Sequence, residues 1–339
     1  MKISLIGVGN WGRNHLRVLY SIPDIELLWV CDLNESLLKR AEQQFPRIKT
    51  TKDSDKAIKD ADAVVIASSA VTHYQLAKKA LEAGKHVFVE KPMALDVTEA
   101  DELVKLSESK GLVLMVGHLL LYHPVVNKLK EMISGGEIGD ILYLYSRRVN
   151  LGRIRSDENV MWSLAPHDIS VANYLIPEKP VWVRAKGKDY VQNGIQDVVF
   201  MDVEYESGRM AHFHVSWLDP HKVRTLVVVG TEKMVVFDDM NQDEKLKIYD
   251  KGVDWEMLKQ PHDIPPGTIS IRYGDICSPR VDMKKQPLNI ELEHFITSVR
   301  KGSRPLTDGR NGLEVLKVLH AGQMSLDSGG KPIRIEWEE

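Results

Sequence analysis

The chain has 339 residues, 43% of them hydrophobic and 27% charged, with a formal net charge of −3, which is enough for two domains and a large core in ordinary globular proportions. The slight negative charge argues against an electrostatic nucleic-acid binder, and Cys31 and Cys277 form no Cys-x-x-Cys pair, which argues against a zinc ribbon or a disulfide framework. No apolar run approaches a membrane span, and the N-terminal apolar stretch is too short for a signal peptide, so a cytoplasmic enzyme is the expectation.

Lys2–Ile6 reads as a short strand, and Gly7-Val8-Gly9-Asn10-Trp11-Gly12 follows it at once, with helical character beginning near Asn14. In this context G-x-G-x-x-G has a mechanism. Gly7 can take the tight turn, Gly9 leaves the backbone open to a pyrophosphate, and Gly12 lets the helix pack on the strand. The helix N-terminus then offers N–H groups to phosphates. Asp32 ends the next apolar run, Ile25–Cys31, twenty positions after Gly12, where an acid accepting both ribose hydroxyls should stand. Asp32 would repel a 2′-phosphate, and Leu33 and Asn34 supply no cation, so the expected cofactor is NAD rather than NADP.

Asn34 is a natural N-cap ahead of Leu37, Leu38, Ala41 and Phe45 at helical spacing. Asp62–Ala67 reads as a buried parallel strand. Thr72 and Gln75 form a capping-box pattern, and Gly84 suits the C′ position of that helix. His86–Val89 is the next strand, Asp96 caps a helix running to about Lys110, and Leu112–Val116 is a further strand. Strands alternating with helices predict an α/β doubly wound parallel sheet.

The pattern then changes. Val125–Ile133 reads as a helix closed by Gly135-Gly136, and strands dominate from Ile141 to about Asp250, with period-two alternation at Met210–Trp217. One helix interrupts them, from about Ser163 to Leu175. Residues 251–288 read as a long loop, two further helices are centred on Leu292–Val299 and Leu313–Leu319, and Pro332–Trp337 is a closing strand. This predicts an α+β domain with a large, mostly antiparallel open sheet, helices on one face and a second subunit on the other. The domain boundary is placed at residue 120, with 1–120 binding NAD and 121–339 binding substrate and forming a homo-oligomer.

Glu90-Lys91-Pro92 stands at the carboxyl end of a parallel strand, where ligands of such sheets bind. Gly7–Gly12, Asp32, Ala67–His73, Gly84–Pro92 and His167 follow one another as in the Gfo/Idh/MocA oxidoreductases, and the chain resembles that family over nearly its whole length. The resemblance implies a Rossmann domain and NAD(P)-dependent oxidation of sugars or polyols. It implies cofactor contacts from Gly7, Gly9, Asn10, Trp11, Gly12 and Asp32, and also from Ser68, His73, Glu90 and Lys91. It assigns catalysis to Lys91 and His167. Many members carry aspartate where Ser163 stands and proline where Ser69 stands, and relatives make the Lys91–Pro92 bond cis.

Pro166 is best tolerated in a first helical turn, which predicts His167 near a helix N-terminus with a neutral ring able to accept a hydroxyl proton. Asp168 would complement the dipole of that helix or touch substrate. His118 and His123 flank the next helix near the expected domain junction. His212 and His214 share a strand face, and with no third ligand placed by the sequence they read as a polar sheet face rather than a metal site. Arg147, Arg148, Arg153 and Arg155 form a basic cluster that could clamp a diphosphate. Substrate contacts are therefore expected from His118, Arg148, Arg153, Arg155, Ser163 and Asp168. Within the family, Arg148–Arg155, Asn159–Ser170 and Trp217–Arg224 most resemble enzymes that oxidise a UDP-N-acetyl sugar at its 3-hydroxyl. The alternatives are an inositol or simple-sugar dehydrogenase and, from another class, a non-catalytic NAD-binding regulator. No nucleic-acid or membrane partner is expected.

Overall fold

The computed structural model describes residues 1–152, 154–255 and 271–337. They fall into two compact units: Met1–Tyr122 with Lys285–Lys317, and His123–Lys284 with Val318–Glu339.

The first unit begins with β1 (Lys2–Ile6), α1 (Gly12–Ser21), β2 (Glu26–Cys31), α2 (Glu35–Gln44), β3 (Thr50–Thr51) and α3 (Ser54–Lys59). It continues with β4 (Ala63–Ile66), α4 (His73–Glu82), β5 (His86–Glu90), α5 (Val97–Ser109) and β6 (Leu114–Gly117). The six strands are all parallel, in the order β3-β2-β1-β4-β5-β6. Because both sheet faces are covered, the strands are continuous apolar runs. Ile3, Leu5, Val64, Val65, Val87 and Phe88 have no exposed surface, and each contributes roughly 1.5–3 kcal/mol by leaving water. The strand order reverses between β1 and β4, so a crevice opens at their carboxyl ends.

Caps set several helix starts. The Asn34 side chain accepts from Ser36 N–H, and Asp96 accepts from Thr98 and Glu99 N–H, each cap adding about 1 kcal/mol. Gly84 takes φ +74° at the end of α4. The Thr72 capping box does not form. Thr72 has helical backbone angles, whereas a capping residue must be extended, and its hydroxyl donates instead to the Ser69 carbonyl.

The second unit contains α6 (Pro124–Ser134), β7 (Ile141–Val149), α7 (Val160–Leu175), β8 (Pro180–Lys188), β9 (Val198–Tyr205), β10 (Met210–Ser216), β11 (Val223–Gly230), β12 (Met234–Asp238), β13 (Leu246–Val253) and β14 (Ile271–Cys277). After α8 (Pro287–Lys301) and α9 (Gly309–Asp327), the short strand β15 (Ile333–Arg334) closes its sheet. The sheet order is β14-β13-β12-β11-β7-β10-β9-β8-β15, and β7 beside β10 is its parallel pair. Alternation sends Val199, Met201, Ala211, Phe213 and Val215 inward, where α7 packs, and leaves Tyr143, Tyr145, Phe200 and Met210 at least 40% exposed on the other face.

Four expectations change. Residues 251–288 are not simply a loop, because β14 pairs with β13. It is a largely exposed edge strand and so carries little hydrophobic signal; residues 256–270 of that stretch lie outside the described residues. The closing strand is shorter than 332–337: its ladder with β8 covers Ile333 and Arg334, and Ile335 N–H adds one bond to the Val181 carbonyl at 2.9 Å. The segment 285–317 belongs with the first unit rather than with the second: Leu292 and Phe295 on α8 are fully buried, and the Phe295 ring meets Phe88 edge-on at 5.8 Å. Finally, α7 starts at Val160 rather than near Ser163, because Asn159 caps it by accepting from Met161 and Trp162 N–H. Among the described residues, no helix is long and apolar enough to cross a membrane.

Candidate active site

At the crevice between β1 and β4, Gly7 takes φ +95°, and a Cβ there would stand 2.5 Å from Ser68 N and 2.6 Å from the Ala67 carbonyl carbon. Only glycine permits this approach. A Cβ on Gly12 would overlap the Gly7 carbonyl, whereas one on Gly9 would meet nothing within 4 Å. The loop is therefore sealed at its first and last glycines and open over the middle one, as a pyrophosphate requires. Asn10 and Trp11 are exposed beside that opening. Asp32 accepts Val8 N–H and Asn34 N–H at 2.8 Å each, one on each carboxylate oxygen, which leaves a lone pair on both oxygens for a ribose diol. Leu33 beside it is 84% exposed and uncharged. Open backbone, helix start and fixed acid fit NAD, and a 2′-phosphate would meet the Asp32 charge.

The loops after β4 and β5 are tied together. His73 is buried with Nδ1 2.8 Å from the Pro92 carbonyl and Nε2 3.1 Å from the Ser68 carbonyl, and burial lowers its pKa. The Ser68 hydroxyl meets that of Thr72 at 2.7 Å. The Lys91–Pro92 bond is cis, and Lys91 is half-buried at the carboxyl end of β5.

Glu90 is held by the start of α1 and lies against the end of β6. Its Oε1 accepts Trp11 Nε1–H at 2.6 Å and lies 2.6 Å from His15 Nε2. Its Oε2 faces Gly117, where a Cβ would stand 2.9 Å away. Burial pushes the Glu90 pKa up, but His15, Trp11 and the positive charge of Lys91 outweigh it, and the group is held below the usual carboxylate range. His118 is buried, and burial, reinforced by Lys91, pushes its imidazole down to about 4. It is a neutral ring close to Glu90 and Lys91. His15 and Gly117 were not legible as site residues, since nothing in the sequence marks a partner for Glu90 seventy-five positions away.

In the second unit, His167 is half-buried on α7 and is its eighth residue. The expectation of a position at the helix N-terminus is corrected: Pro166 lies inside the helix, where it has no N–H to give the Trp162 carbonyl, and the dipole does not reach a second turn. Ser163 is not the cap; its N–H donates to the Asn159 carbonyl at 3.1 Å. Asp168 neither serves the dipole nor stands alone. Arg148 on β7 grips it through Nε at 2.6 Å and Nη2 at 3.0 Å, with the two side chains 14% and 5% exposed.

The basic cluster is thus largely paired internally. Arg147 meets Asp219 at 3.1 Å, Arg155 meets Glu158 at 2.6 Å, and Arg153 lies outside the described residues. Arg224, not among the substrate contacts expected from the sequence, stands opposite Arg148 in the β7–β11 register. Its guanidinium donates to the Val149 and Val223 carbonyls and to Asn150 Oδ1, all neutral acceptors. Burial and then the neighbouring Arg148 push its pKa down to about 10. His123 caps α6 by accepting Val125 N–H, and its Nε2 lies 3.6 Å from Asp239. His212 pairs with Asp202, and Phe200 stacks on both His212 and His214.

Residues 1–118 match a family described as "Oxidoreductase family, NAD-binding Rossmann fold", and residues 126–236 match "GFO/IDH/MocA C-terminal domain". The chain is 28% identical over 318 residues to the UDP-N-acetylglucosamine 3-dehydrogenase of Acidithiobacillus ferrooxidans, covering 93% of this chain and 94% of that protein. It is 26% identical to the myo-inositol 2-dehydrogenase of Thermotoga maritima, covering 96% of each. A solved structure of the Acidithiobacillus ferrooxidans enzyme superposes with a TM-score of 0.81 at 25% identity, over 97% of this chain and 98% of that one. With the glycine loop, Asp32 and the Glu90-Lys91-Pro92 turn in place on a parallel sheet of this order, the chain belongs to the Gfo/Idh/MocA family and is an NAD-dependent dehydrogenase.

Proposed function

We propose that the protein oxidises a ring hydroxyl of a sugar to a ketone, and specifically the 3-hydroxyl of a UDP-N-acetyl sugar. The observation that carries the specific reading is Arg224. A half-buried guanidinium whose direct hydrogen-bond partners are all neutral stands beside a second arginine, with Asp168 and Asp239 offsetting part of the charge from farther away, and a diphosphate would give it a direct anionic partner. The likeness to the Acidithiobacillus ferrooxidans enzyme supports the same substrate class.

NAD, when bound, accepts the hydride from the carbinol carbon. The chain supplies the rest. Loss of hydride without loss of the hydroxyl proton would leave positive character on carbon, so a base must take that proton, and His167 carries an imidazole suited to it. Lys91 holds the oxygen as negative charge develops. The Arg148–Asp168 pair fixes the α7 residue next to the base, and Ser163 supplies no negative charge. In this proposal residues 1–118 hold the cofactor and carry Lys91, and His167, Arg148 and Arg224 are carried by the second unit.

Arg224→Ala should raise KM for UDP-N-acetylglucosamine by roughly tenfold or more, the size expected for losing a charge-assisted contact, while NAD binding measured by calorimetry stays unchanged. The specific observation favouring an inositol or simple-sugar substrate is that Arg147, Arg148 and Arg155 are already paired. Equal kcat/KM for myo-inositol and the UDP-sugar would hand the assignment to that reading.

Self-association is proposed for the exposed sheet face, where the Tyr143 and Tyr145 rings stack at 6.4 Å and Phe200 stays 46% exposed. Patches of this kind mark protein contacts. A monomeric mass by light scattering at micromolar concentration would remove the proposal.

A further inference from the structure

Helix α8 carries one charged residue in its buried stripe. Leu288, Leu292, Phe295 and Ile296 pack inward, and Glu291 lies among them with no exposed surface. Neither of its oxygens meets a protein hydrogen-bond donor. An isolated buried carboxylate costs far more than a neutral acid, and burial, followed by the charge on Glu90, pushes the Glu291 pKa well up.

The surroundings point the same way. His15 Nδ1 on α1 and both ring nitrogens of His118 after β6 are also buried without a protein partner. All three residues act on the single carboxylate of Glu90: His15 by hydrogen bond, Glu291 and His118 through its charge. That carboxylate lies close against Gly117, where a Cβ would stand 2.9 Å from Oε2. The remaining groups that face this region are Lys91 at the end of β5 and Tyr122, whose phenol burial raises above its ordinary value, with Glu291 and Asp308 adding to that rise. His294 on α8 itself packs on the Tyr122 ring at 5.4 Å. Buried polar atoms without a protein partner are in general met by ordered water.

We propose that Glu291 is a positioning residue for the reaction: it remains a neutral acid that donates through buried water toward Glu90, so that the two acids hold one proton between them and Glu90 keeps its charge beside Lys91. The functional half rests on the reading of Lys91 given above. Glu291 touches neither substrate nor cofactor; it acts through Glu90.

The test uses the full-length protein with NAD bound. Infrared difference spectra of wild type against Glu291→Gln at pH 8 should show the carbonyl stretch of a protonated carboxyl group, shifting in D2O. Turnover is measured with UDP-N-acetylglucosamine, or with myo-inositol if the first is not a substrate. Glu291→Gln, which keeps a neutral donor, should stay within about threefold of wild-type kcat, whereas Glu291→Leu should lose roughly tenfold or more. The leucine variant should keep KM for NAD and show no drop in Tm, because an apolar side chain suits the site. No carboxyl band, or a glutamine variant as slow as the leucine variant, overturns the neutral acid. Wild-type kcat in the leucine variant reduces Glu291 to packing. If the leucine variant does not fold, the band and the glutamine variant still decide. Near-wild-type kcat in Lys91→Met with the band intact would remove the Lys91 reading and leave the one-proton pair standing.

Discussion

Replacing His167 by alanine should lower kcat roughly 100-fold or more, the scale of a lost general base, and Lys91→Ala should do the same by removing the cation that holds the developing alkoxide. Neither change touches the glycine loop or Asp32, so NAD should still raise the Tm of both variants by mass action. The two losses differ in kind. Removing a base that takes the hydroxyl proton should flatten the fall in oxidation rate on acidification, whereas removing the cation should leave that fall in place. Lys91→Arg should not rescue, since a planar fork does not replace a compact ammonium. Near-wild-type kcat in His167→Ala would transfer the base to another group, with Lys91 in its neutral form the first to examine.

Arg148→Ala is expected to be the most destabilising single change in the second unit. It leaves Asp168, 5% exposed, without the two charge-assisted bonds that satisfy it, a loss of about 3–5 kcal/mol for a broken buried pair. The denaturant midpoint should fall accordingly, with little dependence on salt because the pair is shielded from solvent. Arg148→Met combined with Asp168→Leu should recover most of the loss, since replacing both partners strands no charge. If Arg148→Ala instead raised KM for substrate and left the midpoint unchanged, the guanidinium would be a substrate clamp and not a brace.

Much of the first unit was legible because its signals are local. A glycine loop, an acid at the end of the next strand and an aspartate cap each act within a few residues, and Gly7, Asp32 and Asp96 stand as expected. The second unit hid more. Pro166 suggested a helix start, but Asn159 caps the helix a turn and a half earlier and the proline is carried inside it. The partner of Arg148 is a helix residue twenty positions on, which an arginine cluster on a strand cannot reveal. Arg224 was passed over because pairing across strands, not spacing, places it beside Arg148. Glu291 was within reach: an acid three residues after Leu288 and four before Phe295 sits on the apolar stripe of its helix, and a charge there needs a reason.

The discontinuity of the first unit bears on the order in which the protein is made. Residues 1–122 leave the ribosome with the sheet complete, yet α8, which lays Phe295 against Phe88 and Glu291 near Glu90, follows only after residues 123–284. At roughly 5–20 residues per second this interval is on the order of 10 s or more. Through it the nascent sheet carries its glycine loop and Asp32 but presents a bare apolar seam. The nucleotide-binding half is thus finished by a segment translated only after the intervening unit, and a product cut before residue 285 keeps the motif without the layer that buries it.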